Sequence, residues 1–110
     1  MPPDAHVHAA TIELADGVDP AAVGAAVTTE LCGHWEHEGP CRWPHHNAIA
    51  AHDDAHELRV VFVAPDAEVD AVHARITSAL DAMPGCDVRI DTVDALHADE
   101  VALGARLASS

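Results

Sequence analysis

The sequence predicts an α+β fold. It reads as a ferredoxin-like split βαβ sandwich: a four-stranded antiparallel sheet, two helices on one face, and an extra C-terminal helix. Three observations carry this expectation. Segments of period two and of helical period follow one another as strand, helix, strand, strand, helix, strand, helix. The breaks between most of them are short and marked by Gly, Pro or Asp. The 110 residues, 49% of them hydrophobic, suffice for one domain with its own core, so 1–110 reads as a single domain.

Each element has a local reason. From His6 to Leu14 the chain alternates, with His8, Ala10, Ile12 and Leu14 on one face and Val7, Ala9, Thr11 and Glu13 on the other. Asp19-Pro20 pairs an N-cap with a proline suited to the first helical position, and Val23, Val27 and Leu31 then form one apolar stripe. Gly33 is placed to stop that helix. Residues 33–47 have neither period and read as a long loop broken by Gly39-Pro40 and Trp43-Pro44. Ala48–His52 fits a short strand, or a short helix capped by Asn47. The strand is preferred, because Asp53-Asp54 turns it into the strongly β-forming Leu58–Ala64. Pro65-Asp66 then caps a helix whose stripe is Val69, Val72, Ile76, Leu80 and Met83. Pro84-Gly85 ends it. Val88, Ile90 and Thr92 alternate with Arg89, Asp91 and Val93 in a fourth strand. Asp94 is placed to cap a terminal helix carrying Leu96, Val101, Leu103 and Leu107.

The charge balance narrows function. Five basic residues, all Arg, stand against nineteen Asp and Glu, a net charge of −14. Such a field repels phosphate backbones and anionic lipid, so no nucleic-acid or membrane partner is expected. No segment approaches the roughly 20 apolar residues of a membrane span. Met1-Pro2-Pro3-Asp4 has neither a basic region nor an apolar run, which predicts no signal peptide and a cytoplasmic location. The three cysteines, Cys32, Cys41 and Cys86, then read as free or metal-bound thiols rather than a disulfide framework.

The main chemical signal lies at 32–47. Cys32, His34, His37, Cys41, His45 and His46 place two thiols and four imidazoles within fifteen residues. Thiolate and neutral imidazole suit tetrahedral Zn²⁺, with bonds of about 2.3 and 2.0–2.1 Å. Cys32, His37, Cys41 and His45 make a sterically reasonable Cys₂His₂ set, and Glu36 and Glu38 are candidate acceptors for ring N–H groups. The expected ion is zinc or another divalent transition metal. The spacing C-x₄-H-x₃-C-x₃-H matches no common finger. The competing reading is therefore a loop of solvent-facing histidines in which Cys32 and Cys41 pack as small hydrophobes. Topology puts the start of the first strand (His6, His8) and the segment after the fourth strand (His97) at the same sheet end as this loop. Cys86 falls at the opposite end and reads as structural.

His52 and His56 have the H-x₃-H spacing of a helical zinc motif, but a hairpin there removes the common face. His73 reads as a solvated position on the second helix. Arg59 and Arg89 read as exposed residues paired with carboxylates on the face away from the helices. That face also holds Val7, Ala9, Thr11, Val61, Val63 and Val93, an open apolar surface suited to a homodimer. The leading expectation is a small metal-binding domain. The alternatives are a thiol- or metal-dependent enzyme, using either Cys41 with a neighbouring His or a metal-bound water, and a non-catalytic dimerisation module.

Overall fold

The computed structural model describes residues 5–32, 43–52 and 54–108. The elements are β1 (Ala5–Leu14), α1 (Pro20–Cys32), β2 (His45–His52), β3 (Ala55–Val63), α2 (Val69–Ala82), β4 (Cys86–Asp94) and α3 (Ala98–Ala108), with a short 3-10 turn at Asp66–Glu68. This is an α+β architecture. The four strands form one sheet in the order β2-β3-β1-β4, and every neighbouring pair is antiparallel. Among the described residues no helix is long and apolar enough to cross a membrane.

The helix starts follow local chemistry, with two corrections. Asp19 Oδ1 accepts a hydrogen bond from the Ala21 backbone N–H at 2.9 Å, so it opens α1 as expected. Asp66 does not cap α2. The chain first makes the 3-10 turn, and Glu68 holds the N-cap position without a side-chain cap bond. Nor is Asp94 the cap of α3. Glu100, at the third helical position, reaches back to the His97 backbone N–H at 2.8 Å, the Glu half of a capping box.

Ala48–His52 is strand, as preferred, but β2 begins earlier, at His45. It pairs with β3 from His45↔Phe62 to His52↔Ala55, so His52 and His56 belong to a hairpin. Gly85 (φ 75°) turns the chain from α2 into β4, and its carbonyl accepts from Ala15 N–H at 2.8 Å.

The core follows the predicted alternation. Ala10 and Ile12 of β1 with Leu58, Val60 and Phe62 of β3 pack against Val23, Val27 and Leu31 of α1 and Val72, Ile76 and Leu80 of α2. Trp43, expected in the loop, is buried in this core at 3% exposure. Asn47 Nδ2 donates to Gly24 O and Thr28 Oγ1, at 3.0 and 3.1 Å, and so ties edge strand β2 to α1.

Two readings of the sheet are corrected. On β4, Thr11 pairs with Ile90 but Ile12 pairs with Val88, so Arg89 is an extra residue at a bulge. The bulge reverses the alternation. Val88, Asp91 and Val93 share the core-facing side of the sheet, because they pair with Ile12, Ala10 and His8, whereas Ile90 lies on the other side. The face away from α1 and α2 is also not open as expected. Helix α3 packs against β3 and β1, and Val7, Val61 and Val63 are buried. Arg59 is buried with them rather than exposed, whereas Arg89 keeps an exposed pair, with Glu13, as expected.

Candidate functional site

The core-facing side of β1 ends in two histidines, and period two puts His6 and His8 on the same side as Ala10 and Ile12. Helix α2 crosses above them and supplies His73 and, one turn on, Thr77. Strand β4 supplies Asp91 from the next position on the sheet, which the bulge at Arg89 turns inward. The sequence alternation placed His73 in solvent and Asp91 with the outward set, so neither entered the predicted site.

These groups form a chain of polar contacts. Thr77 Oγ1 donates to Asp91 Oδ2 at 2.7 Å. The other Asp91 oxygen, Oδ1, contacts His8 Nε2. The opposite ring nitrogen of His8, Nδ1, lies 2.7 Å from His73 Nδ1. Phe62 packs beside them: the His6 ring stacks on it at 5.6 Å between centroids, and the His73 ring stands nearly perpendicular to it at 5.1 Å. His8 is 2% exposed, so the chain lies inside the fold. The Nε2 atoms of His6 and His73 are buried and have no hydrogen-bond partner among the described residues.

Burial pushes the His8 pKa down, and the contact with Asp91 only partly opposes it. Burial also lowers His73, reinforced by the neighbouring His8 and His6. Both rings therefore favour the neutral state at pH 7, where an imidazole has one N–H and one bare nitrogen. The Asp91 carboxylate beside Nε2 favours the proton of His8 there, although no hydrogen bond of regular geometry joins the two. Nδ1 of His8 is then bare and accepts from His73 Nδ1–H. That leaves His73 Nε2 with an uncommitted lone pair. The sequence signal was present in the H-x-H of β1, which fixes two rings on one face. The pairing with α2 depended on how that helix is rotated over the sheet, which its apolar stripe defines too coarsely for a half-buried position.

The predicted loop ligands are placed as follows. Cys32 is the last residue of α1, and His45 and His46 open β2. His34, His37 and Cys41 lie outside the described residues, as does the side chain of Cys32. His45 and His46 take opposite sides of β2, since they pair with Phe62 and Val61. His45 is held between elements: its Nδ1 lies 3.2 Å from Trp43 O and its Nε2 lies 3.1 Å from Thr28 Oγ1. Burial lowers its pKa. His97 stands 3.7 Å from Glu100 on the α3 side. Cys86 opens β4 opposite Leu14, at the far end of β1 from His6, and burial pushes its thiol pKa up. Among the described residues, no group of three His, Cys, Asp or Glu side chains is arranged to hold a metal ion.

The chain matches no family model, no curated protein and no solved structure.

Proposed function

We propose that the chain is a small transition-metal-binding domain of ferredoxin-like topology, with zinc held by the Cys/His segment from Cys32 to His46. The topology reading rests on the strand order and on the antiparallel pairing of every neighbour. The functional reading rests mainly on the segment's thiol and imidazole donors. One structural observation supports it. His45, Phe62 and His6 lie side by side across β2, β3 and β1, at the sheet end where the segment joins β2. His73 of α2 packs on the same Phe62 ring. Imidazoles are thus concentrated where the segment meets the sheet.

The ligand set is Cys32, His37 and Cys41, completed by His34, His45 or His46. His45 would exchange its contacts with Thr28 and Trp43 for the ion, whereas His46 is exposed on the other side of β2. The test is metal content of untagged protein, combined with thermal melting. About one zinc per chain is expected, lost in a Cys32→Ser/Cys41→Ser double variant. An excess of zinc a hundredfold over Kd should stabilise wild type by about 2.7 kcal/mol. A wild-type chain that carries no zinc, and melts identically with zinc and with chelator, contradicts the proposal.

A further inference from the structure

The geometry points to a second, imidazole-only site for a divalent transition ion, with His73 Nε2 as the leading ligand and His6 Nε2 as its companion on the Phe62 ring. It deepens the metal-binding reading but does not use the thiols of the Cys32–Cys41 segment.

The Asp91 carboxylate favours the proton of His8 on Nε2, and the short His8–His73 contact between Nδ1 atoms then calls for the proton of His73 on Nδ1. The lone pair left on His73 Nε2 is buried and unpartnered, as is Nε2 of His6. A buried polar atom without a partner costs about 1–3 kcal/mol, so two on rings that pack on the same Phe62 call for a ligand. Neutral imidazole nitrogen is a donor for divalent zinc, cobalt, nickel and copper. A ligating histidine usually gives its other N–H to a fixed acceptor, which sets the tautomer and raises ring basicity. His73 has that arrangement, with His8 as acceptor, Asp91 behind His8 and Thr77 holding Asp91.

His8, Asp91 and Thr77 are positioning residues here, because they act through His73. His8 Nδ1 already faces His73, and its Nε2 faces Asp91.

The test uses Co²⁺, whose thiolate complexes show a charge-transfer band in the near ultraviolet that nitrogen and oxygen complexes lack. Full-length Cys32→Ser/Cys41→Ser protein is titrated with Co²⁺ and, by calorimetry, with Zn²⁺. It is expected to bind one ion with visible d–d bands and no thiolate band. Adding His73→Gln should weaken binding at least tenfold, and adding Asp91→Asn should weaken it about tenfold through loss of the anchored tautomer. Retained metal-free melting temperatures show that the variants fold. The proposal is overturned if the double-serine protein binds no ion, or if His73→Gln leaves its affinity unchanged. A thiolate band in wild type combined with either result would overturn only this inference and leave the thiol site standing. Failure of wild type to give that band would count against the thiol site instead.

Discussion

Arg59 of β3 and Glu100 of α3 form a two-pronged ion pair beneath the terminal helix, with Nε to Oε2 at 2.8 Å and Nη2 to Oε1 at 2.7 Å. Arg59 also reaches Asp94 Oδ2 at 2.7 Å and the Ala95 carbonyl at 3.0 Å. A single guanidinium thus fixes the end of β4, the connection and the first turn of α3. Arg suits this because its planar fork matches a carboxylate at two points.

Removing the Glu100 charge leaves a buried guanidinium short of a partner. Glu100→Ala is expected to destabilise the fold by about 3 kcal/mol, near the lower bound for breaking a buried pair. It also removes the capping bond to His97. Lys at position 59 cannot form the same fork, so Arg59→Lys should lose part of this stability. Urea unfolding of the three proteins at pH 7.5 checks this. An unchanged midpoint for Glu100→Ala would show that the pair does not hold α3.

Helix α3 also depends on the lack of a side chain at Gly104. A Cβ there would stand 2.5 Å from Ala5 Cβ, closer than two carbons can approach. Gly104→Ala gains helix propensity of about 1 kcal/mol. We nevertheless expect a net loss of stability and faster amide exchange in α3, because the helix must lift from β1. Stabilisation by Gly104→Ala would show that the contact relaxes at no cost.

The sequence made the element order, the Asp19 cap, the β2–β3 hairpin and the core stripes legible, because each follows from local periodicity or capping chemistry. It misplaced Val93 and Asp91, because one extra residue at Arg89 reverses a period-two pattern without a composition signal. It left Arg59 on an exposed face because the cover comes from α3, forty residues later. His6 and His8 were legible as neighbours on one strand. His73, Thr77 and Asp91 were not, since three elements separated in sequence meet there.

The lowered pKa values of His8, His45 and His73 set a direction for pH dependence. Unfolded histidines protonate near pH 6.5. These rings do so only at lower pH when folded, so the unfolded chain binds more protons in between. Stability should therefore be fully present above about pH 6.5 and fall as the pH drops below it. Each group contributes at most about 1.4 kcal/mol per pH unit. Glu100 and Asp94 have depressed pKa values, caused first by their hydrogen bonds from Arg59. Their contribution is lost separately, below about pH 4. Denaturant melts at pH 7.5, 6.5 and 5.5 should show a falling midpoint, with a shallower slope for His73→Gln. A flat profile would contradict the burial of these rings.

Trp43 reports on the packing of the core. Its Nε1–H donates to Glu68 Oε1 at 3.0 Å, and the Arg75 guanidinium lies 5.2 Å from the ring centroid. Trp43→Phe keeps an aromatic ring but loses the hydrogen bond, and should cost about 1–2 kcal/mol. The chain's second tryptophan is Trp35, so in a Trp35→Phe background the remaining emission comes from Trp43 and should be blue-shifted and shielded from iodide. Water-exposed emission in that background would contradict the burial of Trp43.

The chain from Asp91 through His8 to His73 is tested most directly by long-range ¹H–¹⁵N correlation of the histidine side chains at pH 7.5. The Nε2–H form is expected for His8 and the Nδ1–H form for His73 in metal-free protein. On adding Zn²⁺, a large shift of the bare His73 Nε2 is expected while Nδ1 keeps its proton. A His73 ring protonated on Nε2, or one whose nitrogens do not respond to zinc, would contradict this arrangement.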